Sequence, residues 1–221
     1  MRGRFITFEG GEGSGKSTHA RQLAERLTAL GIGVVLTREP GGSAGAEVIR
    51  HILLSGGAKP LGPEAETILF AAARDDHVRS TIAPALEAGK WVICDRFIDS
   101  TRVYQGIVGR VDHRLIRGLE RVTIGRTAPD LTLILDIPTE LGLARAARRR
   151  TSATADRFES ENTEFHELLR QAYLTLAKLE PQRCVVIDGR NAREVVADDV
   201  WAAVAERLHP QKTRAPEVVA P

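Results

Sequence analysis

The run Gly10-Gly11-Glu12-Gly13-Ser14-Gly15-Lys16-Ser17, continued by Thr18, matches G-x-x-x-x-G-K-[ST] without a gap. Each residue type in it has a physical reason. Glycines let the backbone curl until successive N–H groups converge on phosphate oxygens at the positive end of the helix that follows. Lys16 brings a point charge to the β- and γ-phosphates, and the Ser17 hydroxyl is a hard oxygen ligand for Mg²⁺. An accidental Gly-rich turn is the rival explanation, and the flanks oppose it. Phe5-Ile6-Thr7-Phe8 reads as a strand, and Ala20, Leu23, Ala24, Leu27 and Leu30 recur at helical spacing before Gly31. The motif points to a nucleoside triphosphate site and leaves the reaction open, because such loops serve GTPases, motor ATPases and small-molecule kinases alike.

Two features narrow the choice. The chain has no Asn-Lys-x-Asp, which argues against a guanine-specific GTPase. The strand-like run Trp91-Val92-Ile93-Cys94 ends in Asp95-Arg96 rather than in the Asp-Glu pair usual in ATP-hydrolysing machines. An Arg directly after the strand-end carboxylate suits a second phosphate held close to the first, and so phosphoryl transfer between two bound substrates.

These groups need a scaffold that converges them. Val34-Val35-Leu36, Leu131 to Leu135 and Cys184 to Ile187 complete five apolar runs without polar alternation, the pattern of a parallel sheet buried on both faces. Helical spacing recurs in Val48 to Leu53, in a stretch from Glu64 that breaks near Pro84, in Leu115 to Val122, in Phe165 to Leu176 and in Val195 to Leu208. The expected fold class is therefore α/β, a doubly wound sheet with ligands at the C-terminal ends of its strands. The polar, Arg-rich segment from Arg145 to Asp156 reads as a loop.

Composition excludes whole classes. Lys plus Arg total 31 against 29 Asp plus Glu, leaving +2, too balanced for a protein that grips nucleic acid non-specifically. With 43% hydrophobic and 27% charged residues, the chain can build a packed core. No apolar run approaches the roughly 18 residues of a membrane span, and Glu9 interrupts the N-terminus before a secretory segment can form. Cys94 and Cys184, each in an apolar run, read as buried thiols of a reducing compartment. The expectation is a cytoplasmic protein without nucleic-acid or membrane partners. Its 221 residues suggest one domain over 1–208, with a disordered tail over 209–221 that carries Pro210, Pro216 and Pro221.

Ile93-Cys94-Asp95-Arg96-Phe97-Ile98-Asp99-Ser100-Thr101-Arg102-Val103-Tyr104, continuing into Gln105-Gly106, resembles the signature of thymidylate kinases. Further stretches fall in the same order: Phe5 to Gly10, Thr37 to Gly42, Phe70 to Arg74, Pro129 to Thr132 with Leu135-Asp136, and Asp156 to Glu159. The resemblance runs from the start of the chain to about Tyr173. It implies a five-stranded P-loop nucleoside monophosphate kinase core, a homodimer, and transfer of the γ-phosphoryl of MgATP to dTMP, giving dTDP and ADP on the route to dTTP.

The resemblance also implies roles. Arg96 would clamp the dTMP phosphate, for which the guanidinium fork is suited, a structural salt bridge being the rival reading. Asp95 would lie near Mg²⁺ with Ser17. Phe70 would stack on thymine, although composition alone favours a core Phe, and Arg74 one helical turn on would bond the base edge. Ser100, Thr101 and Gln105 would line the base pocket, and Tyr104 would sit under the sugar and crowd out a 2′-hydroxyl. Glu39, Glu12 and Arg50 would face the acceptor sugar and phosphate, with a solvated helix charge as the alternative for Arg50.

One branch of the family places an Arg within the P-loop, where this chain has Gly13. The charge for the transferring phosphoryl group would then come from Arg145, Arg148, Arg149 or Arg150 on the segment corresponding to the lid, about 145–158, with Arg149 favoured and Arg157 a further candidate. Such an Arg is worth about 10³–10⁵ in rate. The rival readings are an exposed charged face or a nucleic-acid patch. Gly109-Arg110 departs from the family's Arg-Gly order, and Thr151 to Ala155 lengthen the lid. Two other functions compete: a P-loop kinase for a different acceptor, and a silent nucleotide-binding module.

Overall fold

The computed structural model describes residues 2–149, 158 and 161–211; the side chain of Arg149 lies outside this set. Five strands, β1 (Phe5–Glu9), β2 (Val34–Arg38), β3 (Trp91–Asp95), β4 (Leu131–Asp136) and β5 (Cys184–Asp188), pair in the order β2-β3-β1-β4-β5. Every pair is parallel, with Phe8 opposite both Asp95 and Leu133. The chain winds to one side through β2 and β3 and to the other through β4 and β5. β1 therefore sits at the reversal, where a parallel sheet opens a crevice at its C-terminal edge.

Successive side chains point to opposite faces, so burial on both sides favours apolar residues, and the fully buried Thr7 and Thr132 pair their hydroxyls at 2.8 Å. On one face Ile6, Phe8, Ile93, Leu131, Leu133 and Leu135 meet α1 (Lys16–Ala29) and α9 (Arg193–Leu208) through Leu23, Leu27, Val200 and Val204. On the other, Phe5, Val92 and Cys94 pack against Val78, Ile82 and Leu86, while Ile134 and Cys184 pack against Leu169 and Tyr173 of α8 (Thr163–Leu179).

The remaining helices are α2 (Ala44–Leu54), α3 (Pro63–His77), α4 (Ala83–Glu87), α5 (Ile98–Thr101), α6 (His113–Ile124) and α7 (Thr139–Arg149). Pro84 does not break the helical path begun by α3. A π-helical turn over Val78–Ile82 joins α3 to α4, placing Pro84 in the first turn of α4, where its missing N–H costs little. A second π-turn, Arg102–Val108, extends α5. Asp112 caps α6 by accepting from Arg114 N at 2.7 Å, and Asn162 caps α8 by accepting from Phe165 N at 2.8 Å.

The loop reading from Arg145 to Asp156 is corrected over its first part. Arg145 to Arg149 form the end of α7, whose Ala146 is buried, so charged residues here occupy a helix surface. Residues 150–157 and most of the proposed tail, from 212 onward, lie outside the described residues.

Candidate active site

Two strand ends deliver the charged groups to one cavity of about 250 Å³. β1 runs into the Gly10–Gly15 turn, and β3 presents Asp95 and Arg96. Gly13 has φ 68°, and a Cβ there would come within 2.0 Å of the Gly142 carbonyl oxygen of α7. Only glycine fits, so α7 occupies the space that a side chain at this position would need. Lys16 Nζ donates to the carbonyls of Gly10 at 3.1 Å and Gly11 at 2.7 Å, and to Ser14 Oγ at 3.4 Å. Burial, reinforced by Arg96, pulls its pKa down to about 8.

Ser17 Oγ donates to Asp95 Oδ2. A hydroxyl and a carboxylate in contact are hard oxygen donors of the kind Mg²⁺ takes. Among the described residues no group of three or more His, Cys, Asp or Glu could hold a metal. Such a pair suits an ion that keeps waters and phosphate oxygens as its other ligands.

Arg96 has φ 68°, a conformation that costs free energy for a residue with a side chain and concentrates at functional sites. Its backbone N–H donates to Phe8 O at 2.9 Å, which locks the turn to β1. Nη2 donates to Glu12 Oε1, Nη1 reaches Gly10 O at 3.3 Å and Ser100 Oγ at 3.2 Å, and the guanidinium lies 5.1 Å from the Tyr104 ring centre. Burial alone would raise the Glu12 carboxyl; Arg96 and Lys16 overcome it and hold the pKa at about 2. Tyr104 donates its hydroxyl to the same Glu12 oxygen at 3.2 Å.

At the far end of the cavity, Arg74 is almost fully buried. Its Nε donates to Glu39 Oε2 at 2.8 Å, and Nη2 donates to Phe97 O at 3.2 Å and Thr101 Oγ1 at 3.1 Å. Both N–H groups of Nη1 are left without a protein acceptor among the described residues. Glu39 is buried, and its other oxygen meets His77 Nδ1 at 3.1 Å, while His77 Nε2 meets Thr37 Oγ1 at 2.8 Å. Glu39 thus lines the cavity while both its carboxylate oxygens are engaged within the protein, where they aim Arg74. Phe70 is half-buried and borders the cavity rather than joining the core. Its ring lies 6.3 Å from Phe158, which stands edge-on to Tyr104 at 5.3 Å.

Arg50, Ser100 and Gln105 also line this cavity, so the positions predicted for the acceptor converge on one space. Arg110 is exposed, with φ 55°, and does not border it. Behind the P-loop, a second cavity of about 390 Å³ is bordered by Ser14, Gly15, Thr18, Arg145 and Arg148. His19, Asn191 and Arg193 border it as well, and sequence reasoning gave them no role.

A family model described as thymidylate kinase matches residues 8–200. The chain belongs to the thymidylate kinase family. It is 61% identical over 207 residues to the thymidylate kinase of Bradyrhizobium sp. (strain ORS 278), spanning 94% of this chain and 92% of that protein. It is 62% identical over 207 residues to the thymidylate kinase of Nitrobacter winogradskyi (strain Nb-255), spanning 94% and 90%. The crystal structure of thymidylate kinase from Ehrlichia chaffeensis superimposes with a TM-score of 0.73 at 35% identity, covering 92% of this chain and 99% of that one.

Against this thymidylate kinase framework, sequence reasoning passed over Glu9, Tyr173, His77 and Phe158. Glu9 carried the clearest signal: a carboxylate closing an otherwise apolar strand, one residue before the phosphate loop. Arg150 and Arg157, and the side chain of Arg149, fall outside the described residues.

Proposed function

We propose that this protein transfers the γ-phosphoryl group of MgATP to dTMP, forming dTDP and ADP on the route to dTTP. One observation carries the reading: a single cavity joins Lys16, Ser17 and Asp95 at one end to Phe70 and the free face of Arg74 at the other, with Arg96 between. A phosphate oxygen of dTMP attacks the γ-phosphorus, and the bond to the β–γ bridging oxygen breaks, leaving its electron pair on ADP. Lys16 and the loop amides of Gly10 to Ser17 hold the donor phosphates. Ser17 and Asp95 would hold Mg²⁺, whose chemistry is to neutralise charge on the donor phosphates.

Arg96 clamps the acceptor phosphate, sharing its guanidinium with Glu12. The two free N–H groups of Arg74 require acceptors, so they fit the keto oxygen of thymine and disfavour the amino group of cytosine. Phe70 stacks on the base, Thr101 and Gln105 border it, and Ser100 steadies Arg96. Tyr104, held by Glu12, fills the space beside the sugar, and Arg50 closes its outer side. Arg145 and Arg148 favour the donor polyphosphate, and a cation from Arg149 or Arg150 completes the charge around the group in transfer.

An ADP-release assay with dTMP, dUMP, dCMP, AMP and thymidine tests the reading. The expected order puts dTMP first and thymidine last. Turnover of AMP or thymidine in preference to dTMP would favour a kinase of another acceptor, and ATP binding without any turnover would favour a silent module.

A homodimeric, cytoplasmic enzyme acting as one kinase domain over residues 1–208 belongs to the same proposal. α3 packs on both α2 and α6, and exposed Val48, Ile52, Ile68 and Val122 on these helices support self-association. The buried free thiols of Cys94 and Cys184 are compatible with a reducing compartment.

A further inference from the structure

Glu9 is the last residue of β1, is fully buried, and touches neither nucleotide cavity. Its carboxylate nevertheless collects four donors. Oε1 accepts from Phe97 N at 2.8 Å and Ser100 N at 3.2 Å; Oε2 accepts from Ser100 Oγ at 2.7 Å and Tyr173 Oη at 3.0 Å. Phe97 occupies the N-cap of α5 and has no side chain able to satisfy the helix's first amides. Glu9 performs that capping from another strand.

The same hydroxyls lead to the phosphate clamp. Ser100 Oγ and Tyr173 Oη lie 3.2 and 3.4 Å from Arg96 Nη1. The two hydroxyls also lie 3.0 Å apart, but an ionised carboxylate only accepts, so it draws their protons towards Glu9 and leaves lone pairs for the guanidinium. Glu9 thus fixes Arg96 twice. It anchors the helix that starts directly after Arg96's left-handed turn, and it sets the polarity of the hydroxyls against its side chain.

We propose that Glu9 is a positioning residue for binding of the acceptor phosphate, acting on Arg96 through the α5 amides and the Ser100 and Tyr173 hydroxyls. The proposal rests on the reading of Arg96 as the clamp of that phosphate. Charge at Glu9 is finely balanced. Burial and then Asp99 push its carboxyl up to about 7, against Arg96 and its hydrogen bonds. Lys16 of α1, Cys94 of β3, Tyr173 of α8 and Cys184 of β5 complete its titratable surroundings.

The test is steady-state kinetics with dTMP and ATP varied separately for Glu9→Gln, Tyr173→Phe and Arg96→Lys. Glu9→Gln keeps the shape and loses the charge; its KM for dTMP at pH 8 is expected to rise about tenfold, the scale of a buried charged hydrogen bond, with KM for ATP within twofold. Tyr173→Phe removes one link and should raise KM for dTMP about threefold in the same selective way. From pH 6 to pH 8.5 the ratio of the Glu9→Gln KM to the wild-type KM should grow, because only the wild type gains the charge. The titration of the dTMP phosphate is common to both proteins and cancels in that ratio.

A dTMP KM that stays within twofold in both variants, a parallel rise in both KM values, or a pH-independent ratio overturns the proposal while leaving Arg96's role intact. Should Glu9→Gln fail to fold, Tyr173→Phe decides on its selectivity alone. Should Arg96→Lys leave the dTMP KM unchanged, the clamp reading itself falls and the proposal falls with it.

Discussion

The two ends of the site are built on opposite plans. At the end proposed for the acceptor, the two buried cations are matched inside the protein: Arg96 with Glu12, and Arg74 with Glu39, which is itself held by His77. At the donor end the backbone loop does the shaping, and Arg145 and Arg148 have no acidic partner among the described residues; Arg145 Nη1 donates only to the Gly189 carbonyl, at 3.0 Å. Matched buried charges are rigid and costly to desolvate, and they select by shape. Unmatched cations at a rim attract a polyanion over a distance and select weakly. The difference is suited to an enzyme that must choose one acceptor and accept a donor common to hundreds of reactions.

The sharpest way to break this contrast is Lys16→Ala, because Lys16 belongs to the loop that faces both ends. We expect kcat to fall about 10²–10³-fold, the cost of removing one aimed donor from a developing anion; near-normal turnover in a steady-state assay would remove the loop from the chemistry. Arg74→Ala probes the matched end. It should raise KM for dTMP about 100-fold with little change for ATP. It should also cost about 3–5 kcal/mol of stability in urea unfolding, since it leaves the Glu39 carboxylate buried with only His77. An equal loss of affinity for both nucleotides would mean that the acceptor end is not separately organised.

A third prediction uses the two carboxylates that flank Arg96. Glu9, raised to about 7, is more costly to ionise in the folded state than in the unfolded chain. Its contribution to stability is therefore complete below 4.5 and lost as pH rises from 4.5 towards 7. Glu12, held at about 2, does the reverse: its contribution is complete above 4.5 and lost as pH falls towards 2. Each amounts to about 3 kcal/mol at about 1.4 kcal/mol per pH unit. Thermal unfolding followed across pH should show Glu9→Gln flattening the neutral limb and Glu12→Gln the acid limb. If both variants simply shift the whole curve, the charges at this end are not tuned against each other.

The same contrast explains what could be read from the sequence. The phosphate loop was legible because its physics is local: contiguous residues, each with its own reason. The five strands were legible because a parallel sheet covered on both faces is built from largely apolar runs without polar alternation. α7 was not, because its closing turn is rich in Arg and looks like a solvated segment until Gly142 is seen pressed against Gly13. The acceptor end is non-local. Glu9 finds its partners 88 and 164 residues away, and Arg74 meets Glu39 across 35. Periodicity carries no information over such separations. There, a resemblance to known kinases named the residues, and only coordinates reveal that Glu39 is engaged by both Arg74 and His77 and that Glu9 bonds the same hydroxyls as Arg96.

The smallest effect is expected at the unmatched end. Arg145 and Arg148 border the cavity behind the P-loop, the one proposed for the donor, and meet no carboxylate among the described residues, so truncating both to Ala leaves no buried charge stranded, and the fold should be little affected. What is lost is attraction for a polyphosphate across solvent, about 0.2–1 kcal/mol for each exposed charge. KM for ATP should rise about fivefold at low ionic strength, with KM for dTMP unchanged. Because the Debye length shrinks from about 10 Å at 0.1 M salt to about 3 Å at 1 M, the difference from wild type should fade as KCl is raised. A salt-insensitive loss would instead place these two guanidiniums in direct, desolvated contact with the donor. The two ends would then differ in their free state only, and binding of ATP would convert the open end into a second matched one.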